Sequence, residues 1–302
     1  MVNGTRLTEL VRGANLALRS AIRGHSVAAL ARLTQPHNQE RMLFVVGAAR
    51  SGTTALQAAL NASHDIFLLG EANFFRENLK KGFRARYNAR HRAFGHPPSK
   101  QNDCPAVAPE DGTWVETLEA LAQRHRFVGE KVAFGAFRPD RWIGEFLAFH
   151  ARYFQRATYI LTFRNPCDAI LSPRRTWGVP QLMPWAAAYI ATARGLVHLR
   201  RGFPRTVPVF LETVGQSTFQ AIERNLGYPL PQLSLMFASR SRSAHERHQV
   251  PLELRETIDA LEALYPELRH MVENFGSSES SQRLDAIDAE LARLRARLGP
   301  IR

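Results

Sequence analysis

Paired cysteines, lysine and long apolar runs are all scarce in this chain of 302 residues. Its two cysteines, Cys104 and Cys167, form no Cys-x-x-Cys pair. That argues against a disulfide framework and a thiolate zinc site, and it fits a reducing compartment. No segment approaches the roughly 18 apolar residues of a membrane span, and the chain does not open on the apolar core of a signal peptide. The expectation is a cytoplasmic protein, soluble or peripheral to the inner face of the membrane. No His/Asp/Glu cluster has metal-ligand spacing, so no metal is expected; His64, His125 and His198 stand isolated. Of 40 basic residues only Lys80, Lys81, Lys100 and Lys131 are lysine, a skew that genome composition explains as readily as function.

What is present is positive charge. The formal net charge of +13 favours anionic partners: nucleotides, acidic glycans or phospholipid head groups. Nucleic acid is not expected, because aromatic residues are not interleaved with the basic runs as a stacking platform requires. Residues 6 to 33 space Leu7, Leu10, Val11, Ala14, Leu18 and Ile22 as one helical face and gather Arg12, Arg19 and Arg23 on another. This basic amphipathic segment, 1–40, either packs on the body or contacts a membrane surface.

From 42 to about 230 the pattern alternates: strand 42 to 46, helix 53 to 62, an apolar piece at 66 to 69, strand 159 to 163, a helix after Pro166, strand 207 to 211 and a helix from about 215. Alternation of this kind predicts a three-layer α/β/α domain over 41–275 with a central, mainly parallel sheet. The interval 91 to 113, polar and proline-rich, reads as a functional flap or a disordered loop. Residues 276–302 form a C-terminal helix whose apolar residues, Leu284, Ile287, Leu291, Leu294 and Leu298, recur at spacings of three and four. It either docks on the body or pairs in a homodimer, and "GSSESS" before it reads as a hinge.

The chemistry concentrates in "MLFVVGAARSGTTALQAAL", residues 42 to 60, a strand turning through glycines into a helix. Such a turn offers backbone N–H groups and a positive helix end to an anion. The spacing Gly47-x-x-x-x-Gly52 matches a nucleoside-triphosphate loop, but the lysine expected next is Thr53. Arg50, inside the loop, supplies positive charge instead. A second stretch, "YILTFRNPCDAILSPR" at 159 to 174, ends a strand on Arg164-Asn165-Pro166 and sets Ser172 about two turns into the next helix. A planar guanidinium and a hydroxyl suit a terminal phosphate.

In this order and spacing the two stretches resemble the sulfotransferases that use 3′-phosphoadenosine-5′-phosphosulfate (PAPS) and release the 3′,5′-bisphosphate (PAP). The resemblance implies a 5′-phosphosulfate loop at Arg50, Ser51, Gly52, Thr53 and Thr54, and a 3′-phosphate site at Arg164 and Ser172. "LGEANFF", 69 to 75, resembles the family's glycan-enzyme segment whose glutamate is the base, which falls on Glu71. "VGEKVAF", 128 to 134, resembles a Glu-Lys-Thr-Pro segment that brings lysine near the transferred group, here Lys131, although Val132 and Ala133 replace Thr-Pro. Glu212, in "VPVFLETV", is read as structural. Arg240 and Arg242 fall where family members close a loop over the nucleotide.

The implied activity is sulfuryl transfer to a hydroxyl or amine, on a glycan, glycolipid or other small metabolite. Glu71 serves as general base, Arg50 stabilises charge, and Lys131 is a second cation. The basic run 80 to 92, "KKGFRARYNARHR", either steers an anionic or lipid-linked acceptor or forms a solvated helix. The competing expectations are a nucleotide-dependent kinase of the P-loop type and a sulfotransferase-fold scaffold without activity.

Overall fold

A computed structural model describes residues 25–231, 233, 250–276 and 278–299. The expected arginines Arg12, Arg19, Arg23, Arg240 and Arg242 lie outside the described residues. Helices α1 (His25–Leu33) and α2 (Pro36–Gln39) lead into strand β1 (Met42–Ala48), then α3 (Thr53–Asn61) and β2 (Ile66–Gly70). After α4 (Phe83–Ala93), α5 (Trp114–Ala122), β3 (Phe127–Phe134) and α6 (Pro139–Tyr153) come β4 (Thr158–Phe163), α7 (Pro166–Trp177), α8 (Met183–Gly202) and β5 (Thr206–Phe210). Then follow α9 (Gln216–Leu226), α10 (Arg255–Glu273) and α11 (Ser278–Arg297).

The strands form one sheet in the order β2-β3-β1-β4-β5, parallel throughout, so the fold is of the α/β class that the alternation predicts. Every residue of β1, β2 and β4 is buried. That continuous burial is the mark of a parallel sheet covered on both faces, and it explains why these strands read as unbroken apolar runs.

The chain divides into two compact units. One holds the described residues of Met1–Val45 with Thr54–Val132 and Gly144–Thr158; the other holds Val46–Thr53, Ala133–Ile143 and the described residues from Tyr159 onward. In the first, Phe74 stacks on Trp114 at 5.1 Å between ring centres, and Trp114 meets Phe149 at 5.7 Å. His150 is enclosed by Phe44, Phe146 and Phe149, and burial drives its pKa well below the ordinary value, so it is a neutral core residue.

The proline-rich interval 91 to 113 belongs to this unit and is tied down. The Gln101 carbonyl accepts from the Gly70 N–H at 3.0 Å, Asn88 accepts from the Cys104 N–H at 2.8 Å, and Arg84 donates to the Ala106 and Ala108 carbonyls. Thr113 then caps α5 in a reciprocal box with Glu116.

The second unit is organised around α8, most of whose residues are buried. The apolar stripe of α11 is buried at Leu284, Ile287, Leu291 and Leu294, and α11 packs on α8. Asp288 pairs with Arg194 at 2.9 Å and Asp285 with Arg201 at 2.5 Å. α11 begins at Ser278, inside the serine run expected to be a hinge.

Gly129 marks a close strand approach in the first unit. A Cβ there would lie 2.0 Å from the Leu43 carbonyl oxygen, and backbone atoms cannot swing aside. Gly129→Ala is expected to lower stability by about 1–3 kcal/mol, the range for overpacking. A shifted midpoint in guanidinium unfolding with an unchanged slope checks it.

Candidate active site

In the second unit β1 ends at Ala48 and the loop turns through Arg50 and Gly52, at φ 72° and 85°, before α3 starts at Thr53. Gly52 suits a left-handed turn; Arg50 does not, and a non-glycine residue held there costs about 1 kcal/mol or more. Ser51 is buried. Its hydroxyl lies 2.7 Å from the Ala48 carbonyl and 2.8 Å from the Thr162 hydroxyl. Its side chain therefore engages the loop's own frame. Thr53 is buried and Thr54 exposed, and the first N–H groups of α3 have no partner within the helix.

Strand β4 ends at Phe163, and α7 starts because Asn165 caps it and Pro166 fits its first position. The Asn165 side chain accepts from the Asp168 N–H at 3.2 Å. Glu212 pins this start: it accepts from the Asn165 N–H at 2.6 Å and from the Tyr265 hydroxyl at 3.0 Å. Tyr189 donates to the Arg164 carbonyl at 2.8 Å. Glu212 is thus a structural residue, as its sequence context suggests.

The guanidinium of Arg164 donates to the Arg50 carbonyl at 2.9 Å and lies 3.8 Å from Asp168. Arg50 donates through Nε to the Ser172 hydroxyl at 2.9 Å and through Nη2 to the Thr176 hydroxyl at 3.0 Å, and its guanidinium sits 5.1 Å from the Trp177 ring centre. Ser172 is buried; accepting from Arg50, it keeps its own O–H to donate. Arg50 is held below its ordinary pKa, first by burial and then by repulsion from Arg164 and Arg175, and remains charged. Positive charge gathered in this way suits an anion of more than one charge.

In the first unit, the turn after β2 carries Glu71 at φ 51° and Asn73 at φ 56°. The register sets Leu69 opposite Glu130 and Gly70 opposite Lys131. Lys131 grips the turn twice: its carbonyl accepts from the Glu71 N–H at 2.7 Å, and its ammonium donates to the Glu71 carboxylate at 2.6 Å. The lysine side chain is 6% exposed and the glutamate side chain 44%. The carboxylate is thereby fixed in direction yet open to solvent.

The structure thus brings Arg50, Arg164 and Ser172 together in one group and Glu71 and Lys131 together in another, each within its own unit. Arg50 and Ser172, which the resemblance assigns to opposite ends of a ligand, are hydrogen-bonded to each other. Sequence reasoning missed Thr176 and Trp177 beside Arg50, for which nothing local signals a role. It also missed Glu130, for which a signal exists: two consecutive charges, Glu130 and Lys131, interrupt an otherwise apolar strand. In the basic run 80 to 92, Arg84, Arg86 and Arg90 engage their own chain, while Lys80, Lys81 and Arg92 stay exposed.

Among the described residues no group of three His, Cys, Asp or Glu side chains is placed to hold a metal, and no helix is long and apolar enough to cross a membrane. A family model described as the sulfotransferase family matches residues 43–208, more than half of the chain. Among solved structures, the sulfotransferase domain from the Synechococcus PCC 7002 olefin synthase aligns at 14% identity with a TM-score of 0.43, covering 86% of this chain and 95% of that one. No curated protein matches.

Proposed function

Since this chain belongs to the sulfotransferase family, we propose that it moves a sulfuryl group from PAPS to a hydroxyl or amine of a glycan, glycolipid or other small metabolite. The observation that carries the donor assignment is the Arg50, Arg164 and Ser172 group, where a loop ending in a helix start meets a second strand end. Arg164 and the Ser172 hydroxyl bind the 3′-phosphate. Arg50 and the N–H groups of Gly52, Thr53 and Thr54 bind the phosphosulfate. Ser51 acts by holding the loop in shape. PAPS supplies the sulfuryl group and a bisphosphate leaving group; the rest of the chemistry falls to the protein.

Glu71 takes the proton from the acceptor oxygen or nitrogen as the new bond to sulfur forms. Lys131 orients that carboxylate and adds positive charge beside it. Arg50 offsets the negative charge that grows as the bond to the leaving oxygen breaks, acting as a fixed cation because guanidinium does not give up its proton. The geometry of phosphoryl transfer, in which positioning and charge supply most of the catalysis, is the close analogue.

Thermal shift separates this reading from its rivals. PAP at 100 times its dissociation constant is expected to stabilise the protein by about 2.7 kcal/mol. ATP with magnesium and a short oligonucleotide are expected to do nothing comparable. Stabilisation by ATP and not by PAP overturns the reading in favour of a kinase; stabilisation by neither nucleotide leaves a scaffold. With PAP bound, mass spectrometry of chitotetraose and its deacetylated form after incubation with PAPS distinguishes hydroxyl from amine acceptors by a sulfonate mass gain.

A further inference from the structure

Glu130 is fully buried on a strand, and a carboxylate taken out of water is costly unless something satisfies it. Its two oxygens accept from consecutive backbone N–H groups, Asn73 at 2.5 Å and Phe74 at 3.1 Å. Those groups belong to the turn that carries Glu71. From the other direction, Arg90 of α4 donates to the Glu71 carbonyl at 3.0 Å and the Ala72 carbonyl at 3.1 Å. Neighbouring strand positions alternate between faces, so Glu130 and Lys131 grip one turn in different ways. The lysine holds the Glu71 side chain, and the glutamate holds the backbone two and three residues beyond.

We infer that Glu130 is a positioning residue: with Arg90 it locks the residue 71–74 turn in the left-handed conformation that presents the Glu71 carboxylate to an acceptor. The inference rests on Glu71 being the base. A carboxylate suits this geometry: the two N–H groups reach separate oxygens of one side chain, and an amide in the same place would turn its NH2 group toward one of them. Two left-handed non-glycine residues within three positions do not persist without such over-determination.

The charged and titratable groups facing Glu130 are Glu71 on the turn, and Arg90 and Tyr87 on α4. Burial pushes the Glu130 carboxyl up to about 8. The two N–H bonds and Arg90 oppose that rise, and Glu71 adds to it. The neutral acid keeps one full acceptor and the ionised form two, so the lock completes as pH rises through that value. Stability runs the opposite way: with the folded value raised, the contribution is full below the ordinary carboxyl range and is lost as pH rises through about 8.

The test uses Glu130→Gln, Arg90→Ala and Glu71→Gln in the full chain. Three quantities are measured: amide hydrogen exchange of the peptide spanning 71–76, PAP binding, and sulfate release from PAPS with water in the acceptor's place. Glu130→Gln is expected to raise exchange at residues 73 and 74 roughly tenfold, the loss of a charge-assisted bond. It is also expected to lower kcat with the KM for PAPS unchanged, and to lack the rise of kcat with pH near 8 that the lock predicts for the parent protein. Unchanged exchange at 73 and 74, or an unchanged pH profile, overturns the inference. Should Glu130→Gln fail to fold, Arg90→Ala decides: PAP binding intact with kcat reduced supports the lock, and an unchanged kcat overturns it. Full activity in Glu71→Gln would instead sink the base assignment, and the exchange result would still report on the lock.

Discussion

Glutamine in place of Glu71 is expected to lower sulfuryl transfer by about 10²-fold or more while PAP binds as before. The substitution keeps shape and keeps an oxygen for Lys131 to reach at the present 2.6 Å. It removes only the ability to take a proton. Acceptor hydroxyls hold their protons at neutral pH, so without a base the attacking oxygen must carry its proton into the transition state. The loss should therefore fall in kcat, with the KM for PAPS little changed, the pattern of an interaction made only in the transition state. Steady-state kinetics with PAPS and the first glycan found to accept sulfate, with PAP calorimetry on the same preparations, checks both halves. Unchanged turnover would remove Glu71 from the mechanism, and lost PAP binding would mean that the substitution had disturbed the fold rather than the proton transfer alone. Lys131→Ala makes a useful comparison, because it leaves the carboxylate in place without the contact that orients it.

How much of this was legible in the sequence depends on what each segment does. Strands β1, β4 and β5 are apolar runs bounded by polar or glycine-rich turns, and β2 showed only as an apolar piece; burial in a covered parallel sheet favours such runs. β3 was not readable as a strand, and its exceptions are its tasks. Gly129 lets the backbone of Leu43 pass, Glu130 holds a turn, and Lys131 holds a carboxylate. Local rules break at sites with work to perform, so a strand can be hidden by its own function.

Helix α8 escaped for a different reason. It is packed by both α7 and α11, so it lacks a single polar face. The stripe on α11 was legible, but its partner was not. The pairs Arg194 with Asp288 and Arg201 with Asp285 join residues far apart in the chain, which periodicity within one helix does not encode. At the site, residue types and order could be read from the motifs. The direction of the Arg50 side chain could not, because its rotamer follows from a left-handed backbone and from Thr176 and Trp177 more than a hundred residues away.

Alanine in place of Arg164 should raise the dissociation constant of PAP by about 30- to 1,000-fold, the consequence of losing ~2–4 kcal/mol from a largely desolvated charged contact. The Arg164 side chain is 13% exposed, so the contact would be only weakly screened. The same guanidinium also supports the loop through the Arg50 carbonyl at 2.9 Å, which gives the weakening two separable causes. A nucleotide lacking the 3′-phosphate separates them. If Arg164 binds that phosphate, PAP loses affinity in Arg164→Ala while 5′-AMP, titrated in parallel, loses little. If Arg164 only props the loop, both weaken by the same factor, since the loop serves the 5′ end they share. Arg164→Lys sharpens the comparison: it keeps the charge and gives up the two-pronged fork, so it should fall between the parent and alanine for PAP. Ser172→Ala, which removes the hydroxyl that Arg50 now contacts, should add to the loss for PAP by less than its effect alone, because residues that share one ligand group do not act independently. Equal and additive losses for both nucleotides would instead mean that Arg164 and Ser172 serve the fold and that the 3′-phosphate is bound elsewhere.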